Sequence, residues 1–186
     1  SDGAVITDLY SEFGVEQKKI NVNLGSATTN VRKACLDAKR HSESKLGGVM
    51  VTGFRSLCGP GWLDAFVEHE KVKAAFANYQ EAQDRLGGDV RSGFTFGGIE
   101  FIEYDVTVSA QRFIPLDVAQ VFPVAKGVFR MFNAPANYNE TVNTLGLPFY
   151  SKAEARSLGK GWKLEAQSNP LALCLLPEAL VELKIG

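Results

Sequence analysis

The sequence predicts a mixed α+β protein in which short strands and amphipathic helices alternate. Apolar and polar residues alternate along 15–24, the period-2 pattern of a half-buried strand. Apolar residues recur at helical spacing over 31–46 and again over 62–86. The apolar run 49–51 and the alternating run 94–108 indicate further strands. The order strand–helix–strand–helix–strand therefore defines the fold class.

The composition is that of a folded domain without a strong charge bias. The chain has 186 residues, 45% of them hydrophobic, with 20 Lys+Arg against 21 Asp+Glu and a net charge of −1. This balance gives no electrostatic reason to expect sequence-specific nucleic-acid binding. The longest uncharged apolar run, 171–176, is far below the roughly 18–20 residues of a membrane helix. We expect one domain, or two small lobes sharing a core, without a membrane partner.

The first helix is bounded by recognisable start and stop signals. Thr28-Thr29-Asn30 offers an N-cap, and Gly47-Gly48 can adopt the left-handed conformation that ends a helix. Cys35 falls on the apolar stripe of this helix and is expected to be a small buried hydrophobe. Before the helix, residues 9–10 are predicted to pair with 15–24 across a turn at Phe13-Gly14, so the chain would open with a hairpin.

The second helical region starts after a tight turn. Cys58-Gly59-Pro60-Gly61 places a proline in the first helical turn, where its missing N–H costs nothing. The polar run 68–71 predicts a break between two helices, the second of which would end at Gly87-Gly88. A turn at Gly97-Gly98 would then join two strands within 94–108.

The C-terminal third is less regular. Residues 118–132 are predicted to form a short strand pair, and 133–151, rich in Asn, Pro, Gly and Tyr, a long irregular loop or crossover. Apolar and polar residues alternate again over 162–167, and 171–185 returns to strand character around Pro177. The two lobes are thus expected not to be contiguous in sequence.

The residues by themselves reveal no metal, cofactor or phosphate site. Gly159-Lys160-Gly161 lacks the flanking pattern of a phosphate loop and is interpreted as a surface turn before a strand. His41 and His69 both lie on charged helix faces and are expected to be solvated. The odd, widely spaced cysteines argue against a disulfide framework and indicate a reducing environment. Cys58, near a helix start, is either a nucleophile with a lowered pKa or a thiol packed in the turn.

The chain contains an ordered series of short motifs. Upstream, the motifs are Glu12-Phe13-Gly14-Val15, Ala27-Thr28-Thr29 and Cys58-Gly59-Pro60. From Phe113 onward they are Phe113-Ile114-Pro115, Phe122-Pro123, Ala134-Pro135-Ala136-Asn137-Tyr138, Glu140-Thr141-Val142-Asn143-Thr144, Gly146-Leu147-Pro148, Tyr150-Ser151-Lys152, Gly159-Lys160-Gly161 and Gln167-Ser168-Asn169-Pro170-Leu171. Together these motifs resemble the major capsid protein E family of tailed phages and prophages. The closing segment, Leu176-Pro177-Glu178, departs from that family's pattern at one position.

The resemblance implies a Hong-Kong-97-like capsid fold with an axial α/β domain and a peripheral domain. Residues 1–27 would be part of the peripheral-type domain, 28–134 the axial-type domain, and 135–186 a crossover with C-terminal strands returning to both lobes. Family members are longer at the N-terminus, so the N-terminal arm, the extended loop and the spine helix are expected upstream of Ser1. The chain would then be the C-terminal portion of a subunit.

The same resemblance implies a structural function rather than an enzymatic one. The subunit would assemble with identical copies into hexamers and pentamers of an icosahedral head that encloses the viral DNA. Scaffold and decoration proteins would be its partners, assembly would occur in the bacterial cytoplasm, and its final location would be the virion. Tyr138, Asn143 and Tyr150 in the crossover are predicted to contact other subunits or to link the lobes. The alternative is a small cytosolic enzyme or ligand-binding module that uses Cys58.

Overall fold

The computed structural model describes residues 8–73, 75–77, 93–108 and 111–186 of the chain. Three helices are referred to below as α1 (Leu9–Glu12), α2 (Val31–Lys45) and α3 (Pro60–Glu68). The strands are β1 (Lys18–Asn21), β2 (Val51–Cys58), β3 (Phe94–Phe96), β4 (Ile99–Glu103), β5 (Thr107–Val108), β6 (Gln111–Arg112), β7 (Val118–Ala125), β8 (Phe129–Asn133), β9 (Tyr150–Ala155), β10 (Trp162–Gln167), β11 (Pro170–Cys174) and β12 (Val181–Lys184). The predicted mixture of helices and strands is confirmed.

The chain divides into two compact units. The first comprises Ser1–Val128 and Leu176–Gly186, and the second is the inserted segment Phe129–Leu175. The prediction that the lobes are not contiguous in sequence is therefore confirmed. The assignment of residues 1–27, 28–134 and 135–186 to the peripheral-type domain, the axial-type domain and the crossover stays a prediction. Which unit corresponds to which capsid domain stays a prediction.

The first unit is built on a six-stranded sheet in the order β1-β12-β7-β2-β4-β3. β1 pairs with β12 and β2 with β4 in parallel, and the remaining neighbours are antiparallel. The C-terminal strand β12 lies between β1 and β7, so it joins the N-terminal strand to the rest of the sheet. β5 and β6 form a separate two-stranded ribbon.

One face of this sheet carries the apolar core, because buried residues alternate with more exposed ones along its strands. Along β2, Phe54 and Cys58 are buried, whereas Arg55 between them is exposed. Helices α2 and α3 contribute buried side chains to the same cluster. These side chains are Val31, Cys35, Ala38, Trp62 and Phe66. The predicted burial of Cys35 is confirmed.

Aromatic rings fill the part of the core next to α3. The Trp62 ring stacks on Phe66 and Phe101 at centroid distances of 4.9 and 5.4 Å. Phe66 also contacts Phe94 and Phe96. Burying one large apolar side chain stabilises a fold by about 1.5–3 kcal/mol. This cluster is therefore a principal anchor of α3 on the sheet.

Local signals explain where the helices and the tight hairpin begin and end. The Asn30 side chain accepts a hydrogen bond from the Lys33 N–H at 3.1 Å, which confirms the predicted N-cap. α3 begins at Pro60, as the turn sequence predicts. Gly97 and Gly98 have φ of 61° and 81°, the left-handed conformation that a two-residue turn between β3 and β4 needs.

The predicted opening hairpin is wrong. Residues 9–12 form the short helix α1, whose first turn is capped by the Asp8 carboxylate accepting from the Tyr10 N–H. The strand predicted over 15–24 exists as β1, but its partner is β12 at the other end of the chain. The central strand predicted at 49–51 instead begins at Val51 and continues to Cys58, and Met50 before it is 83% exposed.

The predicted strand pair over 118–132 is also wrong in its pairing. Both strands exist, but β7 pairs with β2 and β12, whereas β8 pairs with β11. They belong to different units, since the division falls between Val128 and Phe129. Local sequence indicates that strands form in this segment, but long-range contacts select the partner of each strand.

The helical break predicted near 68–71 is confirmed, but the expected solvation of His69 is wrong. α3 ends at Glu68, and helical residues resume at position 70. The His69 side chain is only 4% exposed, and its Nε2 lies 3.1 Å from the Ser26 carbonyl oxygen. His41 is half-buried, with its Nε2 3.2 Å from the Glu178 carbonyl oxygen. The predicted end of the second helix at Gly87-Gly88 lies outside the described residues.

The second unit consists of two antiparallel strand pairs. β8 pairs with β11. β9 pairs with β10, and six residues of β9 lie opposite six residues of β10. The predicted strand at 162–167 and the surface turn at Gly159-Lys160-Gly161 are confirmed. The irregular segment 134–149 connects β8 to β9, with one 3₁₀ turn at Asn139–Thr141.

Candidate subunit-contact surface

The crossover 134–149 is irregular in conformation but fixed by hydrogen bonds within the second unit. The Thr141 hydroxyl donates to a backbone carbonyl oxygen, that of Tyr138 at 2.8 Å. The Thr144 hydroxyl bonds the Thr141 carbonyl at 2.8 Å, and the Ser168 hydroxyl bonds the Pro148 carbonyl at 2.7 Å. Such hydrogen bonds take the place of the backbone hydrogen bonds that a helix or a paired strand would make. The crossover therefore holds a defined shape.

Gly146 brings the crossover into close contact with β8. A Cβ at this position would lie 1.8 Å from the Asn133 carbonyl oxygen, far inside any allowed contact. Only glycine permits this approach of two backbone segments. The Gly146-Leu147-Pro148 motif seen in the sequence thus has a steric cause.

Tyr150 holds the end of the crossover from the first position of β9. Its hydroxyl oxygen accepts from the Leu147 N–H at 2.8 Å and lies 3.4 Å from the Leu145 carbonyl oxygen. The side chain is half-buried. The immediate role of Tyr150 is therefore to position the loop that precedes it.

Tyr138 belongs to a small charged cluster beside β9. The Lys152 ammonium lies 5.2 Å from the centre of the Tyr138 ring and 2.7 Å from a Glu140 carboxylate oxygen. The Lys152 hydrogen bond lowers the pKa of Glu140. Partial burial, followed by the Glu165 charge, raises the pKa of Tyr138. The Tyr138 hydroxyl oxygen is covered by its surroundings and makes no hydrogen bond.

Asn143 is exposed and has a positive φ of 60°, which asparagine tolerates better than most residues. Tyr138, Asn143 and Tyr150 therefore all lie on one inserted unit, but the structure does not unite them in one cluster. The whole crossover is inside the second unit, and the chain passes between units near Val128 and Leu175 instead.

Sequence reasoning missed the exposed apolar residues of the crossover. Their exposed fractions range from 56% to 91%, and they are Val142, Leu145, Leu147 and Phe149. Several large apolar side chains exposed within one short segment make that segment a candidate interaction site. The available signal was an apolar residue at nearly every second position of a segment otherwise rich in Asn, Pro and Gly.

The geometry argues against Cys58 as a nucleophile. Cys58 is the last residue of β2 and is fully buried. Burial raises the pKa of its thiol to about 12, and a weak contact with the Ser56 hydroxyl offsets this only in part. A reactive cysteine needs a lowered pKa and access to solvent.

Neither a metal-binding cluster nor a membrane-spanning helix is found among the described residues. No group of three or more His, Cys, Asp or Glu side chains among those residues could hold a metal ion. None of the described helices has the length and apolar character needed to cross a bilayer.

The fold is that of a phage capsid subunit. A protein assigned as the capsid protein of an Escherichia coli CFT073 prophage superposes with a TM-score of 0.50 at 13% identity. The superposition covers 87% of this chain and 49% of that chain. The sequence gives the family: the profile of Phage major capsid protein E matches residues 1–185, so the chain belongs to that family. The resemblance inferred from the motifs is confirmed.

Two curated relatives agree with this assignment. The major capsid protein of Pseudomonas phage KPP10 is 28% identical over 198 residues, which cover 97% of this chain and 56% of that protein. The major capsid protein of Salmonella phage Felix O1 (isolate Felix O1-VT1) is 23% identical over 216 residues, covering 98% and 59%. The chain thus spans less than two thirds of the length of either relative.

Proposed function

We propose that this chain is part of the major shell subunit of a tailed phage or prophage. The complete subunit assembles with identical copies into hexamers and pentamers of an icosahedral head that encloses the viral DNA. In such rings each subunit binds its neighbour through two different surfaces, and repeating this contact around a rotation axis closes the ring. The observation that carries this proposal is the family match over residues 1–185.

The exposed surface of the second unit supports a role in assembly. Its crossover carries four large apolar side chains that are at least 56% exposed, on a backbone fixed by hydrogen bonds and by the close packing of Gly146. A surface already held in its bound shape loses little entropy when a partner binds. This combination fits repeated docking to other subunits.

Within this surface we assign subunit contacts to Tyr138, Asn143 and Tyr150. Tyr138 offers its half-buried ring beside Lys152, and Asn143 offers an exposed amide. Tyr150 acts by holding the backbone of 145–147 in place.

The proposed partners and location follow from the same function. Scaffold and decoration proteins bind the assembling or finished shell, the subunit is synthesised and assembled in the bacterial cytoplasm, and its final location is the virion. Its role is structural and not enzymatic, in line with the buried, protonated thiol of Cys58.

Negative-stain electron microscopy of the intact gene product tests the proposal. We expect closed shells, or capsomers with five- and six-fold symmetry. Small uniform particles alone, even when the neighbouring scaffold gene is co-expressed, would contradict it.

The assignment of Asn143 has a matched control. Asn143→Gly removes the side chain while keeping the positive φ accessible. Asn23→Gly makes the same change at another exposed asparagine with positive φ, 45°, in the first unit. We expect the yield of shells to fall only for Asn143→Gly. Equal yields from both variants, at equal thermal stability, would remove Asn143 from the contact surface.

A further inference from the structure

The hairpin of β9 and β10 concentrates positive charge at its tip. The segment 155–163 contains Arg156, Lys160 and Lys163 and no acidic residue. All three side chains are exposed. Together these three residues are called the basic tip below.

The three cations of the basic tip share one surface. Lys163 lies opposite Glu154, and the Arg156 N–H donates to the Gly161 carbonyl at 2.9 Å, which extends the pairing past the ends of the strands. Alternation along the strand then places Arg156 on the same face as Lys163, with their Cβ atoms about 7–8 Å apart. Lys160 joins them from the turn, because all three line one open depression of about 560 Å³. The rest of its lining is Glu154, Ala155 and Ser157.

The basic tip is not neutralised by its surroundings. Its three cations form no salt bridge with any residue that the structure describes, whereas Lys152 on the same hairpin pairs with Glu140 at 2.7 Å. Exposed charges are stable in water, so the basic tip needs no covering surface in the free chain. It is therefore open to an anion from outside the chain.

The positive charge belongs to the second unit and not to the chain as a whole. Residues 129–175 contain five Lys or Arg residues against three Glu and no Asp. Because the whole chain has a net charge of −1, the second unit carries +2 and the first unit −3. The balanced composition of the chain thus conceals a basic unit, and most of the cations of that unit lie at its tip.

We propose that the basic tip binds the phosphate backbone of the DNA that the head encloses, without reading its sequence. Duplex DNA carries one negative charge per about 1.7 Å of its axis, and each phosphate that a cation neutralises releases condensed counterions. The Arg156 guanidinium can donate two parallel hydrogen bonds to one phosphate, while Lys160 and Lys163 act as point charges. The inference rests on the proposed function, because a head that encloses DNA brings this polymer to the subunit.

The turn at the tip gives a phosphate close access to the backbone. Gly159 and Gly161, with φ of 67° and 97°, flank Lys160 on both sides. A Cβ at either glycine would meet no atom within 4 Å, so the turn lies in open space. Glycines in such turns leave backbone N–H groups accessible to phosphate oxygens.

An acidic protein surface fits the basic tip less well than DNA does. The net charge of −3 on the first unit is spread over a segment more than twice as long as the second unit. Such a surface has neither the charge density of DNA nor its condensed counterions. The binding energy gained by releasing counterions is therefore specific to a polyanion.

Fluorescence anisotropy of a labelled, random-sequence DNA duplex mixed with the 186-residue chain tests the inference. Three phosphate contacts predict a slope of about −2.7 for the logarithm of the association constant against the logarithm of salt concentration. Binding should thus weaken about 40-fold between roughly 50 and 200 mM salt. The triple variant Arg156→Gln/Lys160→Gln/Lys163→Gln should lose both the binding and this slope. A parent chain that does not bind the duplex at low salt would overturn the inference.

A control with the same change in charge separates a local site from the effect of net charge. Lys18→Gln/Arg32→Gln/Lys33→Gln removes one Arg and two Lys from exposed positions of the first unit. We expect this variant to bind the duplex as the parent does. Equal losses in the two triple variants, at equal thermal stability, would show that binding follows net charge and would overturn the inference.

Glu154 provides a substitution with the opposite expected sign. Its carboxylate lines the same depression and repels phosphate. Glu154→Gln should therefore tighten DNA binding about threefold, the effect of one charge acting through water over about 6 Å. Unchanged or weaker binding would contradict the placement of DNA at this tip.

Two further measurements identify the chemistry of the partner. Poly-glutamate of equal total charge should compete poorly with the duplex, and equal competition would overturn the assignment to phosphate. Sedimentation at low salt should show no association that depends on the basic tip. Association of the parent chain that the tip variant abolishes, without DNA binding, would assign the tip to the acidic first unit of a second copy instead.

These assays do not require shell formation. Shells from the intact subunit, together with a basic tip that does not bind DNA, would refute this inference and leave the capsid function standing. DNA binding at the tip without any shells from the intact subunit would instead contradict the proposed function.

Discussion

Replacing Gly59 with alanine should destabilise the first unit because two backbone segments approach each other there. Gly59 has φ −64° and ψ 147°, which any L-residue adopts, so the substitution itself strains no dihedral angle. A Cβ would nevertheless lie 2.1 Å from the Pro115 carbonyl oxygen and 2.8 Å from that of Leu116. Since carbon and carbonyl oxygen rarely approach within about 3.3 Å, the segment would have to retreat by about 1.2 Å.

The size of the effect follows from what this movement breaks. The Gly59 N–H donates to the Val118 carbonyl at 2.9 Å, and the Trp62 N–H donates to the Leu116 carbonyl at 2.7 Å. Each bond contributes about 1 kcal/mol net, and overpacking adds about 1–3 kcal/mol of strain. We therefore expect the free energy of unfolding to fall by about 4 kcal/mol.

Urea unfolding followed by tryptophan fluorescence measures this loss in the relevant unit. Trp62 is fully buried in the first unit, and Trp162 is 67% exposed in the second. A Trp162→Phe background makes Trp62 the sole reporter. Gly25→Ala is the matched control, because its added Cβ would meet no atom within 4 Å. A Gly59→Ala variant within about 0.5 kcal/mol of this control would refute the reasoning.

Three further predictions concern a helix cap, a thiol and an ion pair. In the same unfolding assay, Asn30→Ala should lower the free energy of unfolding by about 1 kcal/mol, whereas Asn30→Asp should be about as stable as the parent chain. Equal stability of the parent and both variants would argue against the cap. Burial raises the pKa of Cys58 to about 12, so Ellman's reagent should not label it at neutral pH in the native chain, whereas half-exposed Cys174 should react. Rapid labelling that persists after Cys174→Ser would contradict this prediction. The pKa of Glu140 in the folded chain should lie below its usual value of 4.5 because of its pair with Lys152. The pair should therefore stabilise the fold fully above pH 4.5, and this stabilisation should be lost as the pH falls through the lowered pKa of the folded chain. An NMR titration of Glu140 checks this, and a Lys152→Met variant that leaves the midpoint unchanged would exclude the pair as the cause.

Local signals in the sequence were sufficient for the first helix and the tight hairpin. The Asn30 cap and the apolar stripe through Cys35 predicted α2 to within a residue, because a helix is stabilised by neighbours three and four positions apart. Gly97-Gly98 predicted the β3–β4 turn, since few residues other than glycine adopt positive φ twice in succession. The family resemblance likewise rested on short motifs, and Gly59 and Gly146 within them prove to be points of close backbone contact.

The candidate contact residues were predicted less completely. Tyr138, Asn143 and Tyr150 were singled out by position in a polar crossover, but the sequence did not indicate that Tyr150 would bond backbone atoms near Leu147. Nor did it reveal that Leu164 would be left exposed, because an alternating pattern identifies an apolar face without telling whether the same chain covers it.

Local sequence was enough to predict strands within 15–24 and 118–132, and β1, β7 and β8 lie in or next to these segments. The pairing of β1 with β12, and the placement of β7 and β8 in different units, could be seen only in the folded chain. Backbone hydrogen-bonding groups are the same in every strand, so partner choice depends on how distant side chains pack together. Packing of distant residues also explains His69, which the sequence predicted to be solvated. Its side chain is buried against the carbonyl oxygen of Ser26, a residue 43 positions away.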